Sequence, residues 1–152
     1  MDLTFGKHSG KSVEMLLLKE PQYLGWMLTQ KDARGVLKQA QDHARKKIAE
    51  FNGKPFTKKC GGHLCSEVAT RCTVYLNNVT DPRWWCEDCN PYQAGANAGK
   101  LQSLKTYSDA YQHVGIYCSG RVSDYRAIIL AMAKAKGLPA RVGEKQALEF
   151  FS

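Results

Sequence analysis

Cys60-Gly61-Gly62-His63-Leu64-Cys65, followed after twenty intervening residues by Cys86-Glu87-Asp88-Cys89, is the stretch on which the reading of this chain turns. Each close pair of cysteines can supply one knuckle, and four thiolates can close a tetrahedral shell around Zn²⁺ with no position left for water. The spacing predicts a structural Zn²⁺ held by Cys60, Cys65, Cys86 and Cys89, not a catalytic metal. The second pair is a regular C-x2-C. The first is wider and encloses His63, so a ligand set of Cys60, His63, Cys86 and Cys89 stays open beside it. Cys72 and Cys118 have no matching pair; in or beside strands a free thiol behaves as a small hydrophobe.

Between the pairs, residues 70–76 carry β-branched and aromatic side chains, Asn77-Asn78-Val79-Thr80-Asp81-Pro82 reads as a turn, and Arg83-Trp84-Trp85 as the returning strand. The result expected is a metal-capped hairpin, a zinc ribbon spanning 57–92. On its N-terminal side, residues 3–5 read as a short strand, Gly6 to Lys11 as a glycine-bounded turn and residues 13–18 as a short helix. Pro21 suits the first turn of a second helix. Ala33, Leu37, Ala40, Ala44, Ile48 and Phe51 recur every three or four residues and mark one face of a third, with Arg34, Lys38 and Arg45 on another face. Gly35 makes a break near its start, and Asn52-Gly53-Lys54-Pro55 ends it.

On the C-terminal side a glycine-rich passage runs from Gly95 to Gly99. Residues 101–113 have a helical pattern, 114–118 read as a strand, and Ser123 is a candidate N-cap for a helix with the stripe Tyr125, Ile128, Ile129 and Met132. Gly137 and Pro139 stop that helix, and 144–151 form a last short one. The fold class expected is α+β, in three parts: a hairpin-helix module with a basic helix over 1–56, the ribbon over 57–92, and a helical portion over 93–152 packed on it.

The formal charge is +8, and its distribution says more than its size. Residues 31–59 hold nine Lys and Arg against Asp32, Asp42 and Glu50, a net +6, whereas 1–30 balance to zero, 60–90 carry −2 and 91–152 carry +4. Concentrated positive charge attracts phosphate backbones and releases their counterions. Its plain alternative is a solvated, lysine-rich helix face. No apolar run approaches the ~20 residues of a membrane-spanning helix, and the opening residues lack the pattern of a secretory signal. A cytoplasmic protein is expected, and in that reducing compartment paired cysteines point to metal.

Gly6-Lys7-His8-Ser9-Gly10-Lys11-Ser12 has three residues between its glycines where a nucleotide-binding P-loop needs four, and it lacks the parallel α/β setting. The chain also holds no H-E-x-x-H, no G-x-S-x-G and no deaminase H-x-E with P-C-x-x-C. His113 and Asp109, four apart on an expected helix, read as an exposed helix pair in preference to an acid–base couple. Tyr23 and Trp26 read as core, with base stacking as the alternative.

Phe5-Gly6-Lys7-His8-Ser9-Gly10-Lys11, then Glu14, then Tyr23-Leu24-Gly25-Trp26-Met27-Leu28 resembles the C-terminal module of exodeoxyribonuclease X-like proteins, whose stand-alone relatives carry the label of quorum-sensing-regulated virulence factors. The resemblance covers about residues 3–30. It implies an accessory module associated with nucleic-acid enzymes, without the nuclease active site.

The functional expectation is a zinc-containing protein that binds DNA or RNA and is not itself catalytic. Its phosphate contacts would be Lys7, His8, Lys11, Arg34, Lys38, Arg45, Lys58 and Lys59, with Arg71, Arg83 and an exposed aromatic of Trp84-Trp85 on the hairpin. The alternative is a protein–protein adaptor or inhibitor of phage or mobile-element origin that docks on a nuclease, polymerase or other host machine.

Overall fold

Ser12 starts the first helix. Its hydroxyl accepts the amide of Met15 at 3.0 Å and so caps α1 (Val13–Lys19) in a computed structural model that describes residues 1–90 and 99–152. The glycine-rich passage over 95–99, Gly99 apart, and the boundary at 92/93 lie outside the described residues. α1 is apolar almost all round, with Val13, Leu16, Leu17 and Leu18 fully buried, as expected of a helix in the middle of a core. α2 (Pro21–Thr29) has Pro21 in its first turn, where the missing N–H costs nothing. α3 (Gly35–Gly53) begins at a glycine with φ of 59°, which is the expected break, and lays Ala40, Ala44 and Phe51 on the core.

The central hairpin pairs β1 (Arg71–Tyr75) with β2 (Asn78–Trp85), and β3 (Leu101–Leu104) adds antiparallel on the other edge of β1. Three helices follow: α4 (Tyr107–Tyr117), α5 (Val122–Ala135) and α6 (Glu144–Phe150). Six helices and a three-stranded antiparallel sheet among the described residues make the class α+β, as the sequence predicts. The inner sheet face gives Cys72, Val74, Val79 and Leu104 to a core cluster that runs from Leu3 to Phe151, and α5 packs on β2.

Several local expectations differ from the structure. Residues 3–5 form no strand: Leu3 exchanges bonds with Lys11 and Gly10, and only an isolated bridge joins Asp2 to Ser12, because the chain turns straight into α1. Residues 77–82 are not one turn. The turn is Leu76-Asn77 and β2 runs through 78–82; the register passes from Thr73 opposite Arg83 to Tyr75 opposite Asn78, so a bulge absorbs the extra residues and houses Pro82, which has no N–H for a ladder. Residues 101–104 are strand, not helix, since Thr106 and Asp109 form a capping box that starts α4 only after them. Residues 114–118 are the end of α4, because burial of His113 and Val114 on its inner face outweighs β-propensity. Arg121, not Ser123, stands at the N-cap of α5.

Gly137, at φ 108°, ends α5 with bonds from its own amide to Lys134 and from Leu138 to Ala133, the Schellman pattern. The preceding Lys136 is buried. Its ammonium donates to the carbonyls of Phe51 (2.9 Å) and Lys54 (2.6 Å) and lies over the rings of Phe51 and Phe56. Burial first, and Lys54 second, lower its pKa to about 8, so it stays charged at neutral pH and caps the end of α3. Lys136→Met should leave the Lys54 carbonyl without its donor and the Phe51 carbonyl with the Lys54 amide alone, and cost about 1–3 kcal/mol, read as a lower urea midpoint at unchanged slope.

Candidate metal centre and charged surfaces

Two short backbone pairings bring the cysteines together. Lys59 bridges Val68, Cys60 N–H donates to Glu67 and Ala69 N–H to Lys58, which folds 58–69 into a tight loop. Gly61 N–H donates to Trp84 (2.8 Å) and Thr70 N–H to Trp85 (2.9 Å), which fixes that loop to the end of β2. The ligand atoms of Cys60, Cys65, Cys86 and Cys89 consequently lie within 4.8 Å of one another, with 3.9 Å between the sulfurs of Cys65 and Cys86. A tetrahedral metal with metal–sulfur bonds of about 2.3 Å needs sulfurs about 3.8 Å apart, so this cluster could hold a metal ion.

The acid–base behaviour of two of these thiols agrees. Burial pushes Cys60 up, yet the backbone N–H groups of Cys86 and Gly62 outweigh it and draw the thiol down to about 7. Hydrogen bonding with Cys86, Cys65 and Cys60 holds Cys89 up at about 12. Four sulfurs at this separation cannot all ionise without a cation between them, and a divalent ion removes that conflict.

His63 is exposed and is not among the four ligands of the cluster. Between the two sets left open by the sequence, the geometry gathers the one with Cys65. Cys72 is fully buried, and burial, with Asp109 a second cause, pushes its thiol up to about 12. Cys118 is buried and its thiol faces the Leu76 carbonyl at 3.5 Å. Neither joins the cluster.

The basic residues named from the sequence do not form one patch. Lys38 and Arg45 are exposed on α3, but Arg34 stands before it as an extended N-cap and so does not share their helix face, and Asp42 sits between the two, 2.9 Å from Lys38 and 3.6 Å from Arg45. Lys58 and Lys59 are exposed beside the cysteine loop, and Lys7 and Lys11 on the first turn. His8 is not presented to solvent: it is 8% exposed, edge-on to Tyr23 at 4.6 Å, and burial with Lys11 lowers its pKa. Buried under Tyr23, its ring does not face a phosphate on the surface. Arg71 and Arg83 share the outer sheet face with Tyr75 and Trp85, since Arg71 opposes Trp85 and Thr73 opposes Arg83.

Neither hairpin tryptophan is freely exposed. Trp84 packs on Phe56 at 5.4 Å, and the Trp85 indole donates to Thr73 Oγ1 at 2.8 Å. Among the described residues the exposed aromatics are Tyr75, Trp26 on α2 and Tyr117 at the end of α4, at 51%, 52% and 40%; period two in 71–75 signalled the first, and a core reading of α2 concealed the second. Asp109 and His113 are no exposed pair either, for Asp109 accepts the Lys105 and Thr106 amides while His113 is buried against the Tyr75 carbonyl. No helix among the described residues is long and apolar enough to cross a membrane.

No family model, curated protein or solved structure matches the chain.

Gly62 is the tightest point of the cluster: a Cβ there would stand 2.6 Å from the Cys89 sulfur and 3.3 Å from that of Cys60. Gly62→Ala should displace Cys89 and weaken Co²⁺ binding at least tenfold, about 1.4 kcal/mol, in a spectroscopic titration. His63→Asn should leave the titration unchanged, and loss of binding there would return the ligand set to the histidine alternative.

Proposed function

We propose that the protein is a zinc-stapled nucleic-acid-binding protein that acts as an accessory and not as a catalyst. The four-cysteine cluster is read as a structural Zn²⁺ site of zinc-ribbon type, closed because four sulfurs leave no position for water. The observation that carries the nucleic-acid reading is the surplus of exposed cations over 31–59, where Lys31, Arg34, Lys38, Arg45, Lys46, Lys58 and Lys59 face solvent against Asp32 and Asp42. The resemblance of residues 3–30 to a module of nucleic-acid enzymes supports the same reading.

Charge decides which surface takes the phosphates. Four thiolates around a divalent ion carry a net −2, and Glu67, Glu87 and Asp88 are exposed beside them. Arg83 is moreover paired with Asp81 at 3.1 Å. The α3 side therefore leads, and Arg71 and Arg83 contribute less. One observation favours docking on a host protein instead: Leu64, at the tip of the cysteine loop, is 93% exposed with φ of 57°, an apolar anchor held in a strained backbone.

Purified protein should carry one equivalent of zinc by elemental analysis. Cys86→Ser should lose metal and soluble fold together, because structural zinc binding is folding free energy, while Cys72→Ser keeps its zinc. For the surface, the triple variant Arg34→Gln, Lys38→Gln, Arg45→Gln should weaken binding across sequences and flatten the log–log salt slope by about 2, with zinc content unchanged. Asp42→Asn should do the reverse and tighten binding. Unchanged affinity and slope in the folded triple variant would return this charge to a solvated face and give the adaptor reading precedence.

A further inference from the structure

The sequence gives no reason for a tryptophan to stand half in solvent on a helix whose Leu24 and Met27 are fully buried, yet Trp26 is 52% exposed. It is not isolated. Tyr23 lies 5.5 Å away, tilted by 40°, and the two rings with Lys7 and Gln22 line an open groove of about 340 Å³. No acid among the described residues lines that groove. Glu20, two residues before the lining Gln22, is occupied by the Gln22 amide and by the Arg126 guanidinium at 2.9 Å.

The first turn is pinned against this aromatic pair. At Gly6, with φ of 72°, a Cβ would stand 2.8 Å from the Tyr23 hydroxyl, so the backbone approaches the ring as only glycine allows and sets Lys7 at the groove's edge. Beneath Tyr23 lies His8, whose two ring nitrogens have no hydrogen-bond partner among the described residues. The charge available at the groove is that of Lys7.

The helix that carries the groove is tied to α3. Gln41 donates to the carbonyls of Met27 (2.8 Å) and Gln30 (2.9 Å), tying α3 to the end of α2 three residues from Lys38 and four from Arg45. A chain of phosphates along α3 would thus reach an exposed aromatic platform at the end of its path.

We infer that the Lys7–Tyr23–Trp26 groove takes one unpaired base of a single-stranded nucleic acid, stacked on Trp26, with Lys7 on the adjoining phosphate. The inference rests on the nucleic-acid reading above and makes it specific: a ring 52% exposed offers a π-face to a base that is out of a duplex, whereas paired bases inside a helix cannot reach it. DNA and RNA share this chemistry, and the test separates them.

The experiment titrates the full-length protein with labelled (dT)10, (rU)10 and a duplex of the same length, following anisotropy and the Trp26 indole N–H resonance. Single strands should bind more tightly than the duplex and shift that resonance. Trp26→Ala should weaken single-strand binding by about five- to a hundredfold, the range of base–aromatic stacking, while Trp26→Phe keeps most of it. Lys7→Gln should flatten the salt slope by about 0.7. Trp26→Ala that binds like the wild type, while the α3 triple variant loses binding, would overturn the stacking site and leave the nucleic-acid reading standing. Absence of binding to all three oligonucleotides by the wild type would overturn both.

Discussion

The burial of α1 is the constraint on which the rest of the structure depends. Seven residues are too few to hold a helix in water, so α1 exists because α2, α3, α5 and α6 enclose it, and those helices in turn bury their apolar stripes on it. Each of its fully buried aliphatic side chains is worth about 1.5–3 kcal/mol. Enclosure carries an obligation, since the carbonyls of its last turns must find donors. Tyr107 supplies one to Leu17 at 2.6 Å and Arg126 one to Lys19 at 2.8 Å, both from the second half of the chain. At the other end the Glu144 carboxylate accepts both the amide and the hydroxyl of Ser12. Glu14 is also buried; burial raises its carboxyl, but His43 at 3.0 Å, its own backbone and the Met1 amino group together hold it below the usual range.

The cysteine cluster stands at a different place in this economy. None of its four members belongs to the core cluster, while the inner face of the hairpin it caps does. The sheet is thus anchored on one side by apolar packing against α5, and backbone pairings hold the loops at its end around the four sulfurs. With a divalent ion bound, that end would be negative, and the surplus of positive charge would lie on α3. The exposed cations of α3 stand apart in sequence from the cluster, whereas Lys58 and Lys59 lie beside its loop.

What was legible in the sequence follows from how local each signal is. The helices α1, α2, α3 and α6 read well because caps and period-3.6 stripes are written within a dozen residues: Pro21, the break at Gly35 and the stop at Gly137 all stand where they were expected. The cysteine set was legible because spacing alone encodes a knuckle. The segments misread are those in which local pattern is ambiguous and a distant partner decides. Leu101 and Leu104 suit a helix face as well as a short strand, and only pairing with β1 settles it. Val114 and Ile116 favour a strand by propensity, and packing of α4 overrules them. The bulge at Asp81-Pro82 depends on register, which no stretch of sequence states. Charge was the least legible: Lys38 and Arg45 look free in the sequence, and Asp42 answers both.

That last point bears on whether α3 is merely solvated. Exposed ion pairs are worth at most about 1 kcal/mol, so Asp42 does little for the stability of the helix, while one carboxylate between Lys38 and Arg45 still leaves a positive face. Glu50 does not reduce it, being spent on Lys47, whose ammonium also donates to the Phe151 carbonyl at 2.8 Å. A helix tuned for solubility alone would place acids one turn from its cations and cancel the repulsion. α3 has Asp42 in that role for its exposed face, and Arg34, Lys46 and the Lys58-Lys59 pair have no carboxylate within ion-pair distance among the described residues. Self-repulsion of that kind is a standing cost to the folded state, and on the proposed reading a phosphate backbone is what relieves it.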